Sequence, residues 1–171
     1  MGQLEKLYQL IEEENIKLEI LDSLPDHIDG MYLKSEFSYP IIVINKKLEN
    51  DSMKFKIVLA EELGHHFTSV GDSRVMFNSY TRRLQLDKSE ITALKWATEF
   101  LLPIDRLKEA FLKMHNRQID SVTQELEVPH EFLLARLKFL SHKFDYIDLD
   151  DKKAILLTTL PNICTIEKLS E

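Results

Sequence analysis

Glu61, Glu62 and His65 stand together in Leu59-Ala60-Glu61-Glu62-Leu63-Gly64-His65-His66-Phe67, a stretch whose residue types could hold a divalent cation and activate water. On a helix, residues four apart are separated by only about 40° around the axis, so Glu61 and His65 share a face. Carboxylate and imidazole are both ordinary ligands for such an ion. Glu62 sits where the H-E-x-x-H pattern carries its general base, and Glu61 where that pattern has its first histidine. A Glu/His pair at this spacing also arises on many solvated helices, so the reading needs a third ligand. A second helix packed across the first is the best source. Glu90 opens one in Ser89-Glu90-Ile91-Thr92-Ala93-Leu94-Lys95-Trp96-Ala97-Thr98-Glu99-Phe100-Leu101-Leu102-Pro103.

The elements that must position these side chains are legible from periodicity and turn signals. Leu4, Leu7, Tyr8, Leu10 and Ile11 recur at helical spacing and predict an amphipathic first helix to about Glu14. Ile16, Leu18 and Ile20 alternate with charges as in a short strand, and Pro25, Asp29 and Gly30 mark turns. A strand at residues 31–34 should pair with the continuous apolar run at residues 41–44 across a loop at 35–40. Asn50-Asp51-Ser52 offers an N-cap to the helix bearing Glu61, whose core face should be Phe55, Val58, Leu59, Leu63 and Phe67. Gly64 in that helix costs about 1 kcal/mol against alanine, which suggests that another backbone or the substrate approaches there. After Val70-Gly71-Asp72, residues 73–86 read as an irregular segment containing Tyr80, Arg82 and Arg83. Ala93, Trp96, Ala97, Phe100 and Leu101 form the expected core face of the Glu90 helix, and Pro103 opens the next one through Leu107, Phe111 and Met114.

The ordered set of Ile44-Asn45, the Glu61 to His65 helix, and Glu90 followed by Ala93, Trp96-Ala97 and Leu101-Leu102-Pro103 resembles the ImmA/IrrE family of metallopeptidases over roughly residues 28–142. The resemblance implies an α+β, predominantly helical fold: a zincin-like core with a small sheet of about three strands and a helix-turn-helix-like part. It implies a single domain over 1–171, with the core at 1–115, the helix-turn-helix-like subdomain at 116–142 and a C-terminal extension at 143–171. By position it makes Glu61, His65 and Glu90 the metal ligands and Glu62 the general base that takes a proton from water on the metal. The implied substrate is a protein, the helix-turn-helix repressor of a phage or mobile element. An edge strand above the active-site helix would hold that substrate in extended form. Some phage-type members of the family also read E-E-L-G-H, as this chain does.

The glutamate at position 61 changes the chemistry in a definite direction. Two histidines and one carboxylate leave a divalent site with one net positive charge, whereas two carboxylates and one histidine leave it neutral. Water at such a site is acidified less, so slower hydrolysis or a more alkaline optimum is expected. The added oxygen donor shifts preference from Zn²⁺ toward Mn²⁺ or Fe²⁺, although Zn²⁺ accepts carboxylates.

Other residues are weighed against plainer roles. His66 is turned about 100° from His65 and is expected to cap, pack or line an edge rather than to bind metal. Glu99 returns to the face of Glu90 but about 13 Å along the axis, which makes it a weaker ligand candidate. Tyr80 and Tyr39 compete for a role at the oxyanion, and packing is the commoner use of either. His27, His115, His130 and His142 read as ordinary surface or satisfied histidines. Cys164, the single cysteine, cannot form an internal disulfide and is expected to be a small buried apolar group.

With 171 residues, 44% of them hydrophobic, the chain can bury a real core. Its formal net charge of −7 argues against affinity based on neutralising phosphates. Residues 118–140 do resemble a helix-turn-helix, with a turn at Val128-Pro129, yet His130, Glu131, Arg136 and Lys138 are a poor set for reading DNA. None of the four glycines forms a nucleotide-binding or serine-hydrolase motif. No apolar run is long enough to span a bilayer or act as a signal core, so a cytoplasmic protein is expected. Residues 144–171 could add a strand, a helix or a partner-contacting tail. The rivals to the peptidase reading are a non-catalytic antirepressor that uses the same surface for binding, and a DNA-binding regulator using residues 118–140.

Overall fold

The apolar run at residues 41–44 becomes the middle of a sheet, which is why it needs no polar face: Ile42 and Ile44 are wholly buried and Val43 nearly so. The computed structural model describes residues 2–35, 37–69, 80–114 and 119–168, with the stretch 80–87 described by its backbone alone. By internal contacts the chain divides into two compact units, Met1–Ala97 and Thr98–Glu171.

The first unit begins with helix α1, Gln3–Glu13, which buries Leu7 and Ile11. Glu5 accepts the Gly2 N–H at its start, at 2.8 Å, and Asn15, in the left-handed region at φ 52°, turns the chain out of it. Strands β1 (Lys17–Leu21), β2 (Gly30–Ser35) and β3 (Ser38–Asn45) follow. Their order in the sheet is β1-β3-β2, with β3 parallel to β1 and antiparallel to β2, so β2 is an edge strand.

Asn45 then explains why the strand ends in asparagine. Buried to 4% exposure, it donates to the carbonyls of Pro25 and Ile28 at 3.3 and 2.9 Å, and it accepts the Lys47 N–H at 3.1 Å. One side chain thus ties the β1–β2 connection to a 3-10 turn at Lys46–Leu48 that leads into helix α2, Ser52–Thr68. Asp51 caps α2 by accepting the Lys54 N–H at 3.0 Å. The helix packs on β2 and β3 and buries Phe55, Val58, Leu59 and Leu63. Phe67 departs from the expected core stripe: it is 39% exposed and stacks on Trp96, with ring centroids 5.0 Å apart.

Helix α3 spans Tyr80–Leu101, so it starts well before Ser89 and places Glu90 in mid-helix. The segment before Glu90 had read as irregular because its apolar residues lack a helical stripe, whereas Arg82, Arg83, Leu84, Gln85 and Lys88 are all strong helix formers. The expectation for residues 73–79 lies outside the described residues. Gly64 meets α3 closely: a Cβ there would stand 2.5 Å from the Ala93 carbonyl oxygen, so the approach anticipated at this glycine is one of backbone on backbone.

The second unit holds the end of α3 and helices α4 (Ile104–Leu112), α5 (Ile119–Leu126) and α6 (His130–Ser141), with Pro103 and Pro129 as the N-caps of α4 and α6. Two arginines bind carbonyls left open at the end of α3. Arg106 donates to Leu101 and Leu126 at 2.8 and 3.1 Å, and Arg136 donates to Leu102 at 3.0 Å. The undecided residues after α6 form an antiparallel meander of β4 (Tyr146–Asp148), β5 (Lys153–Leu156) and β6 (Cys164–Glu167). Cys164 is exposed there rather than buried, because it opens an edge strand. The architecture is α+β and mostly helical, with one more small sheet than the sequence suggested. Among the described residues no helix is long and apolar enough to cross a membrane.

Candidate metal centre

Helix α2 delivers Glu61, Glu62 and His65, and the one-turn spacing of Glu61 and His65 follows from the helix repeat alone. Glu62 is 9% exposed and lies beneath β2, where a Cβ on Gly30 would come within 2.8 Å of its Oε1. The missing side chain is what lets the strand rest on the carboxylate. The Tyr32 N–H donates to that carboxylate from the same strand. Burial, with the nearby Glu61 and Glu90, raises the Glu62 pKa to about 7 against the pull of His65 and of the Tyr32 N–H.

His65 is the meeting point. Its Nε2 lies 3.4 Å from Glu90 Oε2 of α3, and Ser89 Oγ stands 3.5 Å from its Nδ1. Burial alone would lower the imidazole's pKa, but the hydrogen bond with Glu90 and the three surrounding carboxylates outweigh it and the net direction is up. Glu90 is pulled down in return, first by that hydrogen bond. The Gly64–Ala93 contact positions this pair. Each glycine or alanine lies within one turn of its partner in the pair, so removing a Cβ at Gly64 brings α3 close enough for Glu90 to reach His65.

Glu61 also has its pKa raised to about 7, by burial first and then by Glu90, with His65 opposing and Asp29 adding a little. It therefore lies within electrostatic reach of both other expected ligands. Among the described residues, however, no three His, Cys, Asp or Glu side chains are arranged as a closed donor set for a metal ion. The structure brings His65 and Glu90 into contact, and Glu61 feels the charge of both. By type and charge the three still fit a divalent cation. Two carboxylates and an imidazole are suitable donors, and a positive ion would offset both the burial and the Glu90 repulsion that raise the Glu61 pKa.

The remaining candidates sort themselves out. His66 is a link, with its Nδ1 2.9 Å from the Tyr32 hydroxyl and its Nε2 3.3 Å from Glu14 Oε2. Tyr39 is 76% exposed on β3, and the Tyr80 side chain lies outside the described residues. Glu99 is committed to Arg136 at 3.2 Å. Arg136 is itself buried, at 5% exposure, which removes one of the two cations a DNA-reading helix α6 would need. Sequence reasoning missed Gly30, Tyr32 and Ser89. Gly30 had registered as a turn marker, and nothing local distinguishes a strand tyrosine that folds over a glutamate thirty residues away.

The family model described as the IrrE N-terminal-like domain, a peptidase family, matches residues 11–138. No curated protein and no solved structure matches the chain significantly.

Proposed function

Because the chain belongs to the IrrE N-terminal-like family of metallopeptidases, we propose that it is a metal-dependent endopeptidase acting in the cytoplasm on a protein, the helix-turn-helix repressor of a phage or mobile element. The observation that carries the reading is the meeting of His65 from α2 with Glu90 from α3, beside a buried Glu62 whose pKa is about 7. A divalent ion bound by Glu61, His65 and Glu90, Zn²⁺ or with this oxygen-rich set Mn²⁺ or Fe²⁺, would supply Lewis-acid chemistry to water and to the scissile carbonyl. Glu62 is poised to give and take a proton near neutral pH. It accepts one from the attacking water and returns it to the leaving amine nitrogen. Ser89 stands at the His65 Nδ1 and would orient the ring so that Nε2, on the Glu90 side, could hold the ion. The edge strand β2 offers backbone groups to an extended substrate beside Glu62.

The test is incubation of the metal-loaded protein with the repressor encoded beside its gene, with and without chelator. Specific fragments that vanish with chelator are expected. A repressor that stays intact with each of the three ions would overturn the reading. The glutamate at position 61, where the family pattern has a histidine, favours one rival, a non-catalytic antirepressor. The two separate on Glu62→Gln: an enzyme loses cleavage and keeps binding, while a pure binder relieves repression equally well with either residue.

A further inference from the structure

Glu14, His66 and Tyr32 form a continuous hydrogen-bonded chain from the end of α1, across α2, to β2. With the His66 Nε2–H donating to Glu14, Nδ1 is left as an acceptor and the Tyr32 hydroxyl donates to it. Tyr32 is buried to 7% exposure, and its ring meets the His66 ring edge-on at 5.6 Å between centroids. Burial raises its phenol to about 12, so the hydroxyl stays a donor. A buried tyrosine on an edge strand could be held by packing alone. This one is tied at its hydroxyl, while its own N–H faces the Glu62 carboxylate. Among the described residues β2 has a neighbouring strand on one side only, and Gly30, two residues earlier, has no side chain to hold its distance from α2. Something must fix the height of the strand above Glu62.

We propose that Tyr32, His66 and Glu14 act as positioning residues that brace β2 and thereby set the Tyr32 N–H on the general base Glu62. The inference rests on Glu62 being that base, but the brace itself can be read without any cleavage.

Two measurements test it on the full chain. Amide hydrogen exchange by NMR should show the Tyr32 N–H exchanging at least about tenfold faster in Tyr32→Phe, which keeps the ring, and in His66→Leu. The N–H groups of β3 should keep their wild-type rates. Steady-state cleavage of the neighbouring-gene repressor by the metal-loaded protein should show kcat falling about tenfold in both variants with KM within about twofold. His66→Gln, which keeps a polar group at that place, should recover most of the loss. If Tyr32 exchange and kcat both stay at wild-type values while only the melting temperature falls, the chain is mere packing and the proposal is wrong. Should His66→Leu not fold, Tyr32→Phe decides alone. A wild-type protein that cleaves nothing refutes the peptidase reading, and the exchange result still decides the brace.

Discussion

Replacing Glu62 by glutamine should stabilise the metal-free protein at neutral and alkaline pH, and not at acid pH. The carboxyl is nine-tenths buried and its pKa rises from 4.5 to about 7, burial being the largest cause. The folded state therefore binds more protons than the unfolded chain between these two values. Stability conferred on the folded state by the proton is complete below about 4.5 and is lost as pH climbs through about 7. At about 1.4 kcal/mol for each tenfold, ionising the folded carboxyl costs about 3 kcal/mol, part of it shared with Glu61 because the two repel. Glutamine keeps the volume and the oxygen that accepts the Tyr32 N–H but cannot ionise. In a chain of this size that corresponds to a rise in Tm of about 5–10 °C at pH 8.5, against no more than about 1 °C at pH 4.5. The assay is thermal unfolding followed by circular dichroism in buffers stripped of metal, for both proteins at both pH values. An equal change at the two pH values, or a loss at pH 8.5, would refute the account of Glu62 as a carboxylate held at a cost for its chemistry.

Three further outcomes are expected. Gly64→Ala places a Cβ 2.5 Å from the Ala93 carbonyl oxygen, so the helices must part; a loss of about 1–3 kcal/mol in denaturant unfolding is expected, and an unchanged midpoint would show that the contact yields freely. Glu90→Gln removes the principal group that raises His65, so the His65 ring should titrate at lower pH by NMR, and an unmoved titration would separate the two residues in solution. Arg136→Ala leaves the Leu102 carbonyl and Glu99 without their partner. It should cost about 1–3 kcal/mol of stability in urea; a variant as stable as wild type would free this arginine for another role.

Much of the scaffold was legible because it depends on neighbours in sequence. The apolar run at residues 41–44 announced a buried strand, Asp51 announced a helix start, and the alternation at 16–20 announced the strand that proved to be β1. The early start of α3 escaped notice because helix propensity without an apolar stripe is a weak signal. Phe67 and Cys164 were misplaced for the opposite reason: each is an apolar group whose partner or exposure depends on an element far away in the chain.

The sequence by itself determined that Glu61 and His65 share a helix face with Glu62 beside them, since the helix repeat alone fixes that angle. Tertiary structure decided what those groups experience. The approach of α3 at Gly64 gave His65 its Glu90, and β2 laid over Glu62 set its pKa near 7. Contacts between distant segments and exclusion of water set charge states, and neither is written in the spacing of residues along one helix.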